Sequence, residues 1–319
     1  MRIVFDRHIP FFAETVQRGW PDVDISPMNA DEIDNSAVRD ADVLVVRTRT
    51  RVDETLMHGA RVRLVCTATI GFDHIDTQYC EANHIRWISC PGCNAQAVCD
   101  YIEEAIDEYL STFNEVVFRP STLSIGIVGV GHVGSLVARM AERKGLNVLL
   151  NDPPKAIGVS LDEIAANSDI ITFHVPLTSL TSHLCNEAFL KKCKPSALII
   201  NSSRGGVVDE QALFRSGHPY ILDTWENEPY INQEVLQHAF LASMHIAGYS
   251  MQGKINATNA CLEAISKEFC LPILKCDNFF VPLQPISGDT APGWLMRVSQ
   301  QLKAEPENFE QLRKQYKLR

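Results

Sequence analysis

No stretch of the 319-residue sequence approaches the ~18 consecutive apolar residues of a membrane-spanning helix. Its first residues, MRIVFDRHIPFF, also lack the apolar core and small-residue cleavage site of a secretory signal. A cytoplasmic setting is the expected default, with no membrane partner. Basic charge is scarce too: 39 acidic residues stand against 29 basic ones, for a formal net charge of −10. That field repels nucleic acid as it repels anionic lipid, so neither is an expected partner, and an anionic small substrate would need a local basic pocket. Low-complexity tracts, internal repeats and long charged linkers are missing. The ten cysteines are scattered through apolar segments of a long chain, so buried reduced thiols are expected. Cys90 and Cys93 in CPGCN lack the second pair that a zinc site requires, and no metal site is expected.

What is present is a globular composition, 45% hydrophobic and 21% charged, long enough for two domains with separate cores. The short β-branched runs RIVFD, DVLVVRT, RLVCTAT and IRWIS alternate with helix-compatible stretches over residues 1 to about 92, which predicts an α/β unit with a parallel sheet. AQAVCDYIEEAIDEYLSTF then reads as a long helix into a second unit. There the strands are expected at LSIGIVGVG, NVLLND, DIITFHVP, ALIINSS and YILDTW, with SMHIAGY closing the series. Residues 254–270 read as a helix that returns to the first unit.

Gly129, Gly131 and Gly134 form G-x-G-x-x-G between a buried-strand run and an amphipathic helix, the context a dinucleotide site requires. Gly129 permits the tight turn, Gly131 admits a pyrophosphate to the backbone, and Gly134 lets helix and strand pack closely. His132 and Val133 would contribute backbone N–H groups at the helix start. Asp152 ends the next strand, where an acid accepts ribose hydroxyls and repels a 2′-phosphate; NAD is therefore the expected cofactor.

Three segments fall at the expected carboxyl ends of strands, where open α/β sheets place ligands: NSSRGGVVDE with Arg204, LDTWENEP with Asp223 and Glu228, and MHIAGY with His245. Hydride transfer from a secondary alcohol needs a base for the hydroxyl proton and a cation for the substrate carboxylate. His245 suits the base, since an ordinary imidazole titrates near pH ~6.5. Glu228 would fix its tautomer, and Arg204 would grip the carboxylate through a planar fork. Gly248 would leave room for the cofactor and Tyr249 would reach the substrate. For a phosphate, Arg47, Arg49 and Arg51 would point one way if their strand continued, and Arg313 in the terminal FEQLRKQY is a second source of charge.

TIGFDHID, the glycine motif, LIINSSRGGVVDEQAL, LDTWENEP and HIAGYS, in that order, resemble the D-isomer-specific 2-hydroxyacid dehydrogenases over nearly the whole chain. VRTRTRVDETL, PGCNAQAV, HIAGYSMQGK and FEQLRKQY resemble one subgroup of them. The resemblance implies two Rossmann-like, doubly wound parallel-sheet domains of α/β class. The substrate domain (1–92 and 254–280) is interrupted by the NAD-binding domain (93–253), and 281–319 form a short C-terminal extension. It implies a homodimer acting on a small phosphorylated 2-hydroxy acid, with catalytic Arg204, Glu228 and His245. Substrate contacts are implied at Thr48, Thr69 and Tyr249, beside Arg47, and cofactor contacts at Asp152, Asp223 and Gly248. Val175 stands where relatives can carry threonine. Fold and motifs alone leave open a glycerate, hydroxypyruvate, lactate or phosphoglycerate enzyme, or an NAD-sensing binding protein.

Overall fold

The computed structural model describes residues 1–112, 122–276 and 293–318. Their chain forms two units, Met1–Asn94 with the described part of Ser250–Ile286, and Ala95–Tyr249 with the described part of Ser287–Arg319.

In the first unit β1 (Arg2–Asp6), β2 (Asp24–Met28), β3 (Val43–Val46), β4 (Leu64–Thr67) and β5 (Arg86–Ile88) make a parallel sheet in the order β2-β1-β3-β4-β5. The period of two along each strand divides the core between the faces. Ile3, Phe5, Val43, Val45, Leu64 and Cys66 meet the returning helix Met251–Phe269 through Ile255, Cys261, Leu262 and Ile265. Val4, Leu44, Val46 and Val65 pack on the opposite face. Strand β2 was not expected, because DISPM has no apolar run. It is an edge strand, where Pro27 costs no ladder hydrogen bond. The run DVLVVRT stops being a strand at Val46, so the three arginines after it do not share one face. Arg47 pairs with Asp6 and Arg51 with Asp53 instead.

The second unit holds β6 (Ser124–Val128), β7 (Asn147–Asp152), β8 (Ile157–Gly158), β9 (Ile170–Phe173), β10 (Leu198–Asn201), β11 (Tyr220–Leu222) and β12 (Leu241–Ala242). Their order is β12-β11-β10-β9-β6-β7-β8, parallel except for β8, which runs antiparallel to β7. The chain leaves β6 toward β7 and later returns to β9 on the other side. This reversal opens a crevice at the carboxyl ends of β6 and β9.

The segment SMHIAGY is not a strand. Only Leu241–Ala242 pairs with β11, and the chain then turns, with His245 at φ 58° and Tyr249 N–H bonded to the Ile246 carbonyl at 2.8 Å. A left-handed residue cannot continue an extended ladder. Of the extension expected at 281–319, residues 281–292 and 319 lie outside the described residues. The helices Trp294–Ala304 and Phe309–Gln315 belong to the second unit, with Leu295, Leu302, Phe309 and Leu312 in its core. Ser299 accepts the Ala242 N–H at 3.0 Å, so the tail covers the β12 edge of the sheet.

All ten cysteines are free and Cys270 alone is exposed. Burial pushes the Cys93 thiol up to about 12, a poor setting for thiolate chemistry. Among the described residues no helix is long and apolar enough to cross a membrane, and no group of three or more His, Cys, Asp or Glu side chains is placed to hold a metal ion.

Candidate active site

Two constructions meet the carboxyl edge of the seven-stranded sheet. The first follows β6. Gly129 takes φ +91°, and a Cβ there would stand 2.7 Å from the His174 carbonyl oxygen and 2.8 Å from Val175 Cγ1. Val175 therefore lines the loop with carbon and has no hydroxyl to offer. Gly134 presses on the Gly129 carbonyl, which any side chain would strike, whereas nothing lies within 4 Å of the Cβ position at Gly131. Gly131 caps the helix His132–Arg143, so the N–H groups of His132 and Val133 sit in its first turn, where no intrahelical acceptor exists. Asp152 accepts the Val130 N–H at 2.8 Å through Oδ2, and Lys155 Nζ holds the Val130 carbonyl at 2.7 Å. The open space over Gly131, the positive helix terminus and the acid beside it fit a dinucleotide.

The second construction brings together the three residues expected to be catalytic. Arg204, Glu228 and His245 line one cavity of about 490 Å³, together with Leu177, Trp225 and Asn227. Nδ1 of His245 lies 2.8 Å from Glu228 Oε2, and Glu228 Oε1 accepts the Trp225 N–H at 2.9 Å. Burial alone would raise the Glu228 carboxyl. The hydrogen bond and charge of His245, the Trp225 amide and the charge of Arg313 outweigh it and hold the group below the usual carboxylate range. Arg204 follows β10. Asn201 Nδ2 holds its carbonyl at 2.8 Å, and one guanidinium nitrogen donates to the Ser203 carbonyl at 2.8 Å. The remaining donors of the fork have no protein acceptor among the described residues. Gly205 lies so close to the Trp225 carbonyl that no side chain fits, which sets Arg204 against the turn carrying Glu228.

Asp223 sits beneath the histidine and is 1% exposed. Its Oδ1 accepts Ser243 Oγ at 2.6 Å and the Ile246 N–H at 2.7 Å; Oδ2 accepts the Ala247 N–H at 3.0 Å; its carbonyl accepts the His245 N–H at 2.8 Å. The carboxylate thus holds His245 in its left-handed conformation, and one oxygen keeps capacity for a further donor. Ser243 also meets Tyr101 Oη at 2.7 Å, and its carbonyl accepts Trp225 Nε1 at 2.8 Å. Sequence reasoning missed Ser243, Tyr101 and Trp225. A serine inside an apolar run was their one visible signal. Gly248 and Tyr249 close the same turn.

Thr48 and Thr69 belong to the first unit, as does Arg47. Arg47 forks onto buried Asp6, Nε to Oδ2 at 2.8 Å and a terminal nitrogen to Oδ1 at 3.2 Å. Burial raises the Asp6 carboxyl, but Arg47 and the His8 amide outweigh that and lower it. Thr69 Oγ1 bonds Thr67 Oγ1 at 2.7 Å and the Gly71 carbonyl at 2.9 Å.

One further acid supports the site from behind. Glu210, 2% exposed, accepts the Glu226 N–H at 2.5 Å. Burial, reinforced by the charges of Glu226, Glu228 and Asp209 against that one amide, pushes its carboxyl up to about 8. A raised acid binds its proton more tightly folded than unfolded, so stability falls as pH rises from the ordinary carboxylate value toward 8. Glu210→Gln keeps the acceptor and removes the charge. It is expected to raise the melting temperature by a few degrees at pH 8 and by less at pH 5, read by calorimetry; equal shifts at both would refute the assignment.

Residues 107–247 match the family described as D-isomer specific 2-hydroxyacid dehydrogenase, NAD binding domain. The chain is 38% identical to the erythronate-4-phosphate dehydrogenase of Bacteroides thetaiotaomicron, over all of this chain and 97% of that one. It is 40% identical to the Porphyromonas gingivalis enzyme of the same name, over 90% of this chain and 81% of that one. Among solved structures, NAD+-bound 3-phosphoglycerate dehydrogenase of Entamoeba histolytica covers 85% of the chain with a TM-score of 0.71 and 25% identity, 95% of that chain being matched. D-lactate dehydrogenase of Aquifex aeolicus, complexed with NAD and lactic acid, covers 84%, with 95% of its own chain matched, a TM-score of 0.66 and 24% identity. The chain belongs to the D-isomer-specific 2-hydroxyacid dehydrogenase family and is an NAD-dependent oxidoreductase. Within that family, the two relatives just described with full or nearly full coverage are both erythronate-4-phosphate dehydrogenases.

Proposed function

We propose that the chain oxidises the 2-hydroxyl of 4-phospho-D-erythronate to (R)-3-hydroxy-2-oxo-4-phosphooxybutanoate, as an erythronate-4-phosphate dehydrogenase of pyridoxal 5′-phosphate biosynthesis. The observation that carries this reading is the 38% identity to an enzyme of that name along the entire chain. Bound NAD supplies the hydride acceptor. His245 takes the hydroxyl proton through Nε2 while Nδ1–H donates to Glu228, whose charge stabilises the imidazolium. Arg204 binds the substrate carboxylate and orients the 2-oxygen. Asp223 keeps the histidine turn in place, and with Gly248 it would help to hold the cofactor. Gly129, Gly131, His132, Val133 and Gly134 would hold the pyrophosphate, and Asp152 would hold the ribose hydroxyls. Arg47, oriented by Asp6, and Thr48 and Thr69 are the substrate contacts assigned to the first unit, and Tyr249 is one assigned to the second. The enzyme works in the cytoplasm as a homodimer.

The test is a substrate panel with purified protein, followed by NADH absorbance. Turnover of 4-phosphoerythronate is expected to exceed that of erythronate, glycerate and lactate in kcat/KM by at least about 10²-fold, because phosphate-binding donors are left unpaired by a substrate without that group, and to exceed that of 3-phosphoglycerate, whose chain is one carbon shorter. A better rate with any other member of the panel, or NAD binding without turnover, would sink the proposal.

A further inference from the structure

The C-terminal helix Phe309–Gln315 reads as an ordinary charged tail, yet one of its cations is turned inward. Arg313 donates from Nε to Tyr249 Oη at 3.0 Å, and its guanidinium carbon lies 5.7 Å from the centre of the Tyr249 ring. One terminal nitrogen reaches Glu310 at 3.3 Å; the other has no protein acceptor among the described residues. Its side chain is only 26% exposed, far from the solvated face that a terminal FEQLRKQY suggests. Tyr316 stands 6.4 Å from Tyr249 and 6.4 Å from Trp294, whose ring meets Tyr101 at 6.2 Å. This aromatic column anchors the tail to the second unit. The charge of Arg313 also reaches Glu228.

Two consequences follow from that geometry. A phenol oxygen that accepts Nε–H keeps its own proton for another acceptor, so Arg313 presents Tyr249 as a donor. The unpaired edge of the guanidinium offers charge-assisted hydrogen bonds that only an oxyanion can use well. We propose that Arg313 is a substrate-positioning residue, which fixes Tyr249 as a donor and adds a second guanidinium, after Arg204, for an anionic substrate. The tail is then part of the active site of its own chain. This rests on the reading that the site takes an anionic 2-hydroxy acid.

The test compares full-length Arg313→Gln, Arg313→Lys, Tyr249→Phe and the Arg313→Gln/Tyr249→Phe double variant with the wild type. KM and kcat are measured for the substrate that the panel identifies, and NAD affinity by titration. Arg313→Gln is expected to raise KM about tenfold or more while kcat changes far less. NAD affinity should hold, Arg313→Lys should recover part of the loss, and Tyr249→Phe should cost less in the Arg313→Gln background than alone. A wild-type KM in Arg313→Gln, additive effects in the double variant, or NAD affinity falling as KM rises in both arginine variants would each overturn the proposal. Calorimetry of 4-phosphoerythronate with NADH-loaded enzyme separates the two readings. No binding to the wild type defeats the functional reading, whereas equal binding to wild type and Arg313→Gln defeats this one.

Discussion

His245→Ala is expected to lower kcat by about 10²–10⁴-fold, the usual contribution of a positioned general base, while the NAD dissociation constant stays near that of the wild type. The reason is local. The Nδ1 edge of the imidazole is taken by Glu228 at 2.8 Å, and Nε2 has no protein partner among the described residues, so the second nitrogen is left for the substrate hydroxyl. The turn itself is held by backbone bonds to Asp223 rather than by the imidazole, and truncating the side chain leaves the cavity walls standing. Single-turnover kinetics under saturating NAD read the chemical step directly. A rate within threefold of wild type would show that another group takes the proton. Glu228→Gln should follow in the same direction with a smaller loss, since its amide can still accept from Nδ1–H but carries no charge to stabilise the imidazolium.

Arg204→Lys is expected to reduce kcat/KM by about 10²-fold even though the charge is conserved. Hydrogen bonds to charged groups contribute ~1.5–3 kcal/mol each, and a lysine cannot restore a planar pair of them. The arginine carbonyl is fixed by Asn201 and its guanidinium by the Ser203 carbonyl, so the fork is aimed before substrate arrives. An ammonium on a flexible stem loses both the aim and the second donor. Kinetics that match the wild type in both KM and kcat would mean that the substrate carboxylate lies elsewhere.

The residues proposed to carry chemistry were legible because chemistry demands particular side chains at particular places. Gly129 and Gly134 announce themselves by needing no side chain, and Arg204, Glu228 and His245 each follow a run of buried strand residues. The supports were not legible. Nothing in SMHI marks Ser243 as the link between Asp223 and Tyr101, since a serine in an apolar run is compatible with many unremarked positions. Strand β2 escaped because half-exposed edge strands need no alternation, and the histidine turn was read as a strand because its left-handed residue is not a glycine. Arg313 was visible only as charge. Its direction depends on tertiary packing of Phe309 and Leu312, which periodicity over seven residues cannot orient.

The chain of hydroxyls under the His245 turn has one allowed direction. Ser243 spends its single proton on Asp223 Oδ1, so Tyr101 must spend its own on Ser243. Each hydroxyl therefore has a fixed polarity, and the sequence of dipoles runs from the helix Ala95–Ser111 to the oxygen that holds the Ile246 amide. Tyr101→Phe would leave the serine oxygen short of a donor in a fully buried place and reverse nothing else. The helix that enters the second unit thus acts as the outermost member of a relay of orientation, and a change on its inner face reaches the histidine without touching the cavity.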